Sequence, residues 1–124
     1  MKRELEDKIC KEFPTFFHRE KSVKESLMAF GFEHGDGWYS IIHSLCTDIK
    51  KILEKYSDSE FEVIQVKEKF GTLRFYVSGG CEKIEKRIMK AERQSARACE
   101  VCGKPGKLRG HGWLYTACEE HKTY

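Results

Sequence analysis

Cys99-Glu100-Val101-Cys102-Gly103 is a Cys-x2-Cys-Gly knuckle, and Cys118-x2-His121 follows after fifteen intervening residues. A two-residue spacer lets both donors of a pair reach one ion from a single tight turn, and Gly103 frees the backbone just behind the first pair. Three thiols and one imidazole form the donor set of a tetrahedral zinc site, so Cys99, Cys102, Cys118 and His121 are the expected ligands. Four protein ligands leave no open position, which makes the ion structural, contributing on the order of 10 kcal/mol at neutral pH. Pro105-Gly106 and Gly110-His111-Gly112 read as turns, with His111 a turn residue and not a fifth ligand, and Trp113-Leu114-Tyr115 reads as a strand. Residues 99–124 are therefore expected to be a zinc-binding tail, built as a zinc ribbon or a shortened treble clef with Cys118 and His121 opening a terminal helical turn.

A chain of 124 residues suits one domain, so the tail should be integrated with an α+β core over 1–98. Fifteen aromatics, two prolines and no low-complexity run argue for a folded chain. The longest stretch without Asp, Glu, Lys or Arg is Gly37 to Thr47, well short of the ~18 apolar residues a membrane helix needs. The opening Met1-Lys2-Arg3-Glu4-Leu5-Glu6-Asp7 lacks the apolar run of a secretory signal. A cytoplasmic protein with reduced thiols is expected, and the six cysteines are not read as three disulfides.

Within the core, Leu5, Ile9 and Cys10 recur at helical spacing before Pro14, and Phe13, Phe16 and Phe17 form a hydrophobic plug. A short helix is expected from Ser22 to Phe30, stopped by Gly31. The principal helix spans 37–56, capped by Asp36, with Trp38, Ile41, Ile42, Leu45, Ile49, Ile52 and Leu53 on its apolar face and Cys46 buried. Ser57-Asp58-Ser59 breaks that pattern. A β-hairpin occupies about 61–78: strand 61–66, a turn over Lys67 to Gly71, and a second strand alternating Leu73, Phe75, Val77 against Thr72, Arg74, Tyr76, Ser78. Gly79-Gly80 leads into a last helix over 81–98.

Charge is unevenly spread. Residues 1–60 carry ten Lys/Arg against twelve Asp/Glu, whereas 61–124 carry thirteen against eight, so an anion-binding surface belongs in the second half. At 100° per residue, Lys83, Lys86, Arg87, Lys90, Arg93 and Arg97 share one sector of the last helix, and their like-charge i, i+4 pairs are each unfavourable by roughly 0.2–0.5 kcal/mol unless an anion meets them. The hairpin adds Lys67, Lys69, Arg74 and Tyr76, with Gln65 on the same face if the register is regular. Arg suits bidentate phosphate contacts and Tyr offers a ring for stacking. The bland alternatives are a solvated helix face and an ordinary exposed sheet face.

For catalysis, the constellation of note is His34 with Asp36, and His43 further along. His43 reads as a partly buried structural residue, and there is no phosphate-cradling Gly-x4-Gly-Lys loop and no His-Glu-x2-His.

Gly35-Asp36-Gly37-Trp38, the run from Gln65 to Tyr76, and the two ligand pairs around Gly112-Trp113 together resemble a family of small, largely uncharacterised proteins of bacteriophages and prophage regions. The resemblance covers most of the chain from about Phe30 and implies a setting in an infected bacterium, with business with nucleic acid, nucleotides or host defence proteins. It also implies that the positions of His34 and His121, where relatives carry cysteine, are possible metal-ligating positions.

The expectation is a non-catalytic, zinc-stabilised binding protein for a phosphate-bearing partner, nucleic acid or nucleotide, through Lys67, Lys69, Arg74 and Tyr76 with Lys83, Arg87, Lys90, Arg93 and Arg97 flanking. The alternatives are a protein–protein inhibitor or nucleotide sponge acting against host defence, with Trp38, Trp113 or Tyr115 as anchors, and a metal-dependent nuclease or hydrolase at His34 and Asp36.

Overall fold

The computed structural model describes residues 1–56 and 60–122. The expected helix break at Ser57-Asp58-Ser59 lies outside the described residues. The chain is a mixed α+β fold: α1 (Arg3–Glu12), β1 (Phe32–Glu33), α2 (Tyr39–Tyr56), β2 (Glu62–Lys69), β3 (Thr72–Ser78), α3 (Glu82–Ser95), β4 (Lys107–Arg109) and β5 (Tyr115–Ala117). Sheet order is β1-β2-β3, with β1 parallel to β2 and β3 antiparallel to it, while β4 and β5 form a separate hairpin.

The apolar periodicity of α2 does what it implies: Ile42, Leu45, Cys46 and Ile49 are fully buried against Val63, Val66, Leu73 and Phe75 of the hairpin and Ile84, Ile88 and Ala91 of α3. Phe13, Phe16 and Phe17 form the expected plug, with Phe13 stacked on Phe16 at 5.5 Å and Phe16 edge-on to Phe61 at 5.2 Å. All six cysteines are free.

Several sequence expectations are corrected. The helix over Ser22–Phe30 is reduced to turns and a 3-10 turn at Met28–Phe30, because Leu27 N–H donates to Ile64 O (2.8 Å) and Ser26 Oγ accepts from Met28 N–H (3.2 Å). Leu27 N–H thus serves the irregular stretch between Val63 and Gln65 in β2, and Met28 N–H a side-chain hydroxyl, in place of a helical ladder. The principal helix begins at Tyr39, after a 3-10 turn over Asp36–Trp38, and Asp36 does not cap it: its carboxylate accepts Lys2 N–H at 2.7 Å. The turn assigned to Lys67–Gly71 narrows to Phe70-Gly71, since Lys67 pairs with Arg74 and Lys69 with Thr72. The expected strand at Trp113–Tyr115 starts only at Tyr115 and runs to Ala117, leaving Trp113 in the loop and exposed.

α3 is shorter than 81–98 because its end is taken over by the knuckle: Ala98 bridges Pro105, and Gly106 N–H donates to Arg97 O at 2.8 Å. Its side chains seal the outer edge of β3. Leu73 N–H donates to Ser95 Oγ (2.9 Å) and Phe75 N–H to Glu92 Oε2 (3.1 Å), satisfying donors that an open sheet edge would leave bare.

Candidate metal centre and cationic surfaces

The tail runs knuckle, hairpin and 3-10 turn. The first pair sits in a turn closed by Gly103 N–H to Cys99 O (2.8 Å), and the second at the start of a 3-10 turn over Glu119–His121, closed by His121 N–H to Cys118 O (3.2 Å). One donor atom from each of Cys99, Cys102, Cys118 and His121 lies within 4.8 Å of every other. Individual separations are 3.7 Å for Cys102 Sγ to Cys118 Sγ, 3.6 Å for Cys99 Sγ to His121 Nδ1 and 3.3 Å for Cys118 Sγ to His121 Nδ1. With metal–sulfur bonds of ~2.3 Å and metal–nitrogen bonds of ~2.0 Å, tetrahedral corners stand about 3.8 Å apart for two sulfurs and about 3.5 Å for sulfur and nitrogen. The cluster can hold a metal ion. His34 and His111 are not part of it.

Electrostatics divide the donors: the Cys99 and Cys118 thiols are held below the ordinary thiol range, and the Cys102 thiol is held above it. Burial pushes the Cys99 thiol up, but the N–H groups of Cys118, Cys102 and Val101, with the Cys102 thiol, outweigh it and bring it down to about 6. The Cys118 thiol beside it raises the His121 imidazole.

The joint between knuckle and core went unread in the sequence. Gly37 N–H donates to Glu100 O (2.8 Å), Gly35 N–H to Glu100 Oε2 (2.9 Å), and Trp38 Nε1–H to Ala98 O (2.9 Å). A Cβ at Gly37 would lie 2.6 Å from Gly103 N and collide with the Cys99 carbonyl, so only glycine lets the two backbones touch. The Gly-Asp-Gly-Trp motif and the Cys-x2-Cys-Gly motif are thus two halves of one contact. Their glycines were the available signal, but no local rule pairs motifs sixty residues apart.

The polar face of the hairpin gathers Gln65 opposite Tyr76, Lys67 opposite Arg74, and Lys69 opposite Thr72, as a regular register requires. The carboxylate in register is Glu33 beside Lys67, and no ion pair joins them among the described residues. Arg74 Nε is buried with no hydrogen-bond partner. On α3 the expected basic sector divides in use. Arg87 is committed to α2, its Nε donating to Asp48 Oδ2 at 2.6 Å, and only 13% of its side chain is exposed. Its Nη1 is buried and unpartnered, in a groove lined by Asp48, Lys51, Lys83, Lys86 and Lys90 over Ile52. Lys83, Lys90, Arg93 and Arg97 make no ion pair among the described residues, whereas Lys86 bridges Glu82 at 3.1 Å. Arg87 turns toward α2, while Glu92 and Ser95 turn toward β3.

Trp38 is fully buried and cannot anchor a partner. His34 is buried between Phe32 and Trp38, its Nδ1–H donating to Gly35 O at 2.7 Å and its Nε2 without a partner, while the Asp36 carboxylate turns to Lys2. No hydrogen bond joins His34 to Asp36 among the described residues. His43 is half-buried, edge-on to Phe13 and paired with Glu12 at 2.8 Å. No helix among the described residues is long and apolar enough to cross a membrane.

No family model, no curated protein and no solved structure matches the chain.

Proposed function

We propose that the protein is a non-catalytic binding module in which a structural zinc ion, held by Cys99, Cys102, Cys118 and His121, braces a surface for a phosphate-bearing partner, nucleic acid or nucleotide. Soft thiolates with one imidazole at tetrahedral spacing support zinc among biological divalent ions. When bound, the ion supplies folding energy and no reactive position, because the chain fills all four corners.

The observation that carries the partner assignment is the face of Lys67, Lys69, Arg74 and Tyr76. It sets Lys67 directly opposite Arg74, and neither makes an ion pair among the described residues. Such an arrangement costs stability on its own and is relieved by an anion that accepts the free donors. Lys83, Lys90, Arg93 and Arg97 form a second cationic surface, on α3, available to a polyanion. The family resemblance adds the setting, the cytosol of a phage-infected bacterium.

Fluorescence anisotropy with labelled single-stranded DNA and RNA, titrated with salt, tests this reading. Pairing with several phosphates predicts a steep loss of affinity between low and physiological salt. A flat salt response, or binding untouched by Arg74→Gln, would remove the hairpin face from consideration.

A further inference from the structure

The two-residue loop joining β2 to β3 is Phe70-Gly71, and both residues have positive φ, +54° and +87°. That is the signature of a tight hairpin turn of type I′, in which the first position favours Asn, Asp or Gly. A bulky aromatic residue in this region is an outlier that costs of order 1–3 kcal/mol. Burial does not offset the cost here, because Phe70 is 65% exposed. The ring is therefore neither a local preference nor a core residue.

Its neighbours point the same way. Gly71 lies against the zinc-braced tail: a Cβ there would meet Leu108 Cδ1 at 2.5 Å and the Leu114 carbonyl carbon at 3.2 Å, and Gly71 O accepts the Thr116 hydroxyl at 2.7 Å. This docking brings Phe70 to the same end of the molecule as Leu108 and Trp113, which are 46% and 74% exposed. Lys69 Nζ stands 5.6 Å over the Phe70 ring, Lys67 and Arg74 continue along the hairpin face, and Lys107 opens β4. Exposed rings on a rigid tip, with cations leading away from it, combine stacking surfaces with phosphate partners.

We propose that Phe70 and Trp113 form a stacking platform for unpaired bases, so that the phosphate-bearing partner is single-stranded nucleic acid. The inference rests on the phosphate-binding reading above and adds the bases to it. Bases stack on the two rings while the sugar-phosphate backbone runs along Lys69, Lys67 and Arg74. Duplexes, whose bases are already stacked on each other, bind more weakly.

The test compares a short oligothymidylate with an abasic phosphodiester oligomer of equal length, by anisotropy on the zinc-loaded full chain at low salt. Oligothymidylate is expected to bind about tenfold more tightly or better. Phe70→Asn and Trp113→Ala should each lower its affinity about tenfold while leaving abasic binding unchanged. Phe70→Asn restores the residue that the turn prefers, so its melting temperature should be unchanged or higher, which separates lost contact from lost fold. Equal affinity for the two oligomers, both weakened by Arg74→Gln, would overturn the stacking platform and leave phosphate binding standing. No binding of either would overturn both, and would leave the exposed tip to a protein partner.

Discussion

His34 is enclosed by Phe32, Trp38 and backbone, and burial holds its imidazole down at about 4. It is neutral when folded and ordinary when unfolded, so the unfolded chain binds the extra proton between about pH 6.5 and 4. Stability should be full above pH 6.5 and decline as pH falls through that window, by on the order of 3 kcal/mol from this residue. His34→Gln should flatten the decline, read as the difference between the two proteins' denaturant midpoints across that range; parallel curves would contradict it. Gly37 is held to glycine by sterics. Gly37→Ala forces the Gly103 and Cys99 backbones apart and should cost about 1–3 kcal/mol or more, lowering metal affinity as well as melting temperature. A competition titration with a chromophoric chelator measures the first effect and thermal denaturation the second.

Among the elements, α3 has the most to do. Its apolar face was expected from the spacing of Ile84, Ile88, Ala91, Ser95 and Ala98; the first four are buried, and Ala98, beyond the helix end, is partly buried. What spacing could not convey is that Ser95 and Glu92 serve the edge of β3 and that Arg87 serves α2. Ser95→Ala would leave Leu73 N–H buried and unpaired, a loss of about 1–3 kcal/mol. Equilibrium unfolding should show it, together with faster amide exchange at Leu73. The hairpin was legible because alternation has an unambiguous period, and its register with Gln65 beside Arg74 and Tyr76 followed from regular pairing. The helix expected at 22–30 failed because Leu27 and Ser26 spend their polar groups on β2, a demand made from some forty residues away.

For the molecule as a whole, the knuckle is fastened to the core at two places, the Gly35–Trp38 segment and the hairpin tip. Stripping the metal should therefore do more than unfold the tail. Hydrogen exchange after chelator dialysis should lose protection over 98–121 and also around 35–38 and 70–72, with re-metallation restoring it. Protection lost from the tail alone would mean that the core stands without the brace. Global stability should fall by an amount comparable to the binding energy of a structural zinc site, on the order of 10 kcal/mol at neutral pH.

From the chain alone came the four metal donors, the principal helix, the hairpin and the cations on its outer face, because ligand spacing and hydrophobic period are local and survive without knowledge of neighbours. Only the tertiary structure decided which cations remain unpaired, that Trp38 is buried, that Asp36 faces Lys2, and that Phe70 stands outward on a turn braced by the tail. Those outcomes depend on which distant backbone arrives beside each residue, and distance in space between segments far apart in sequence is written in no short stretch of either.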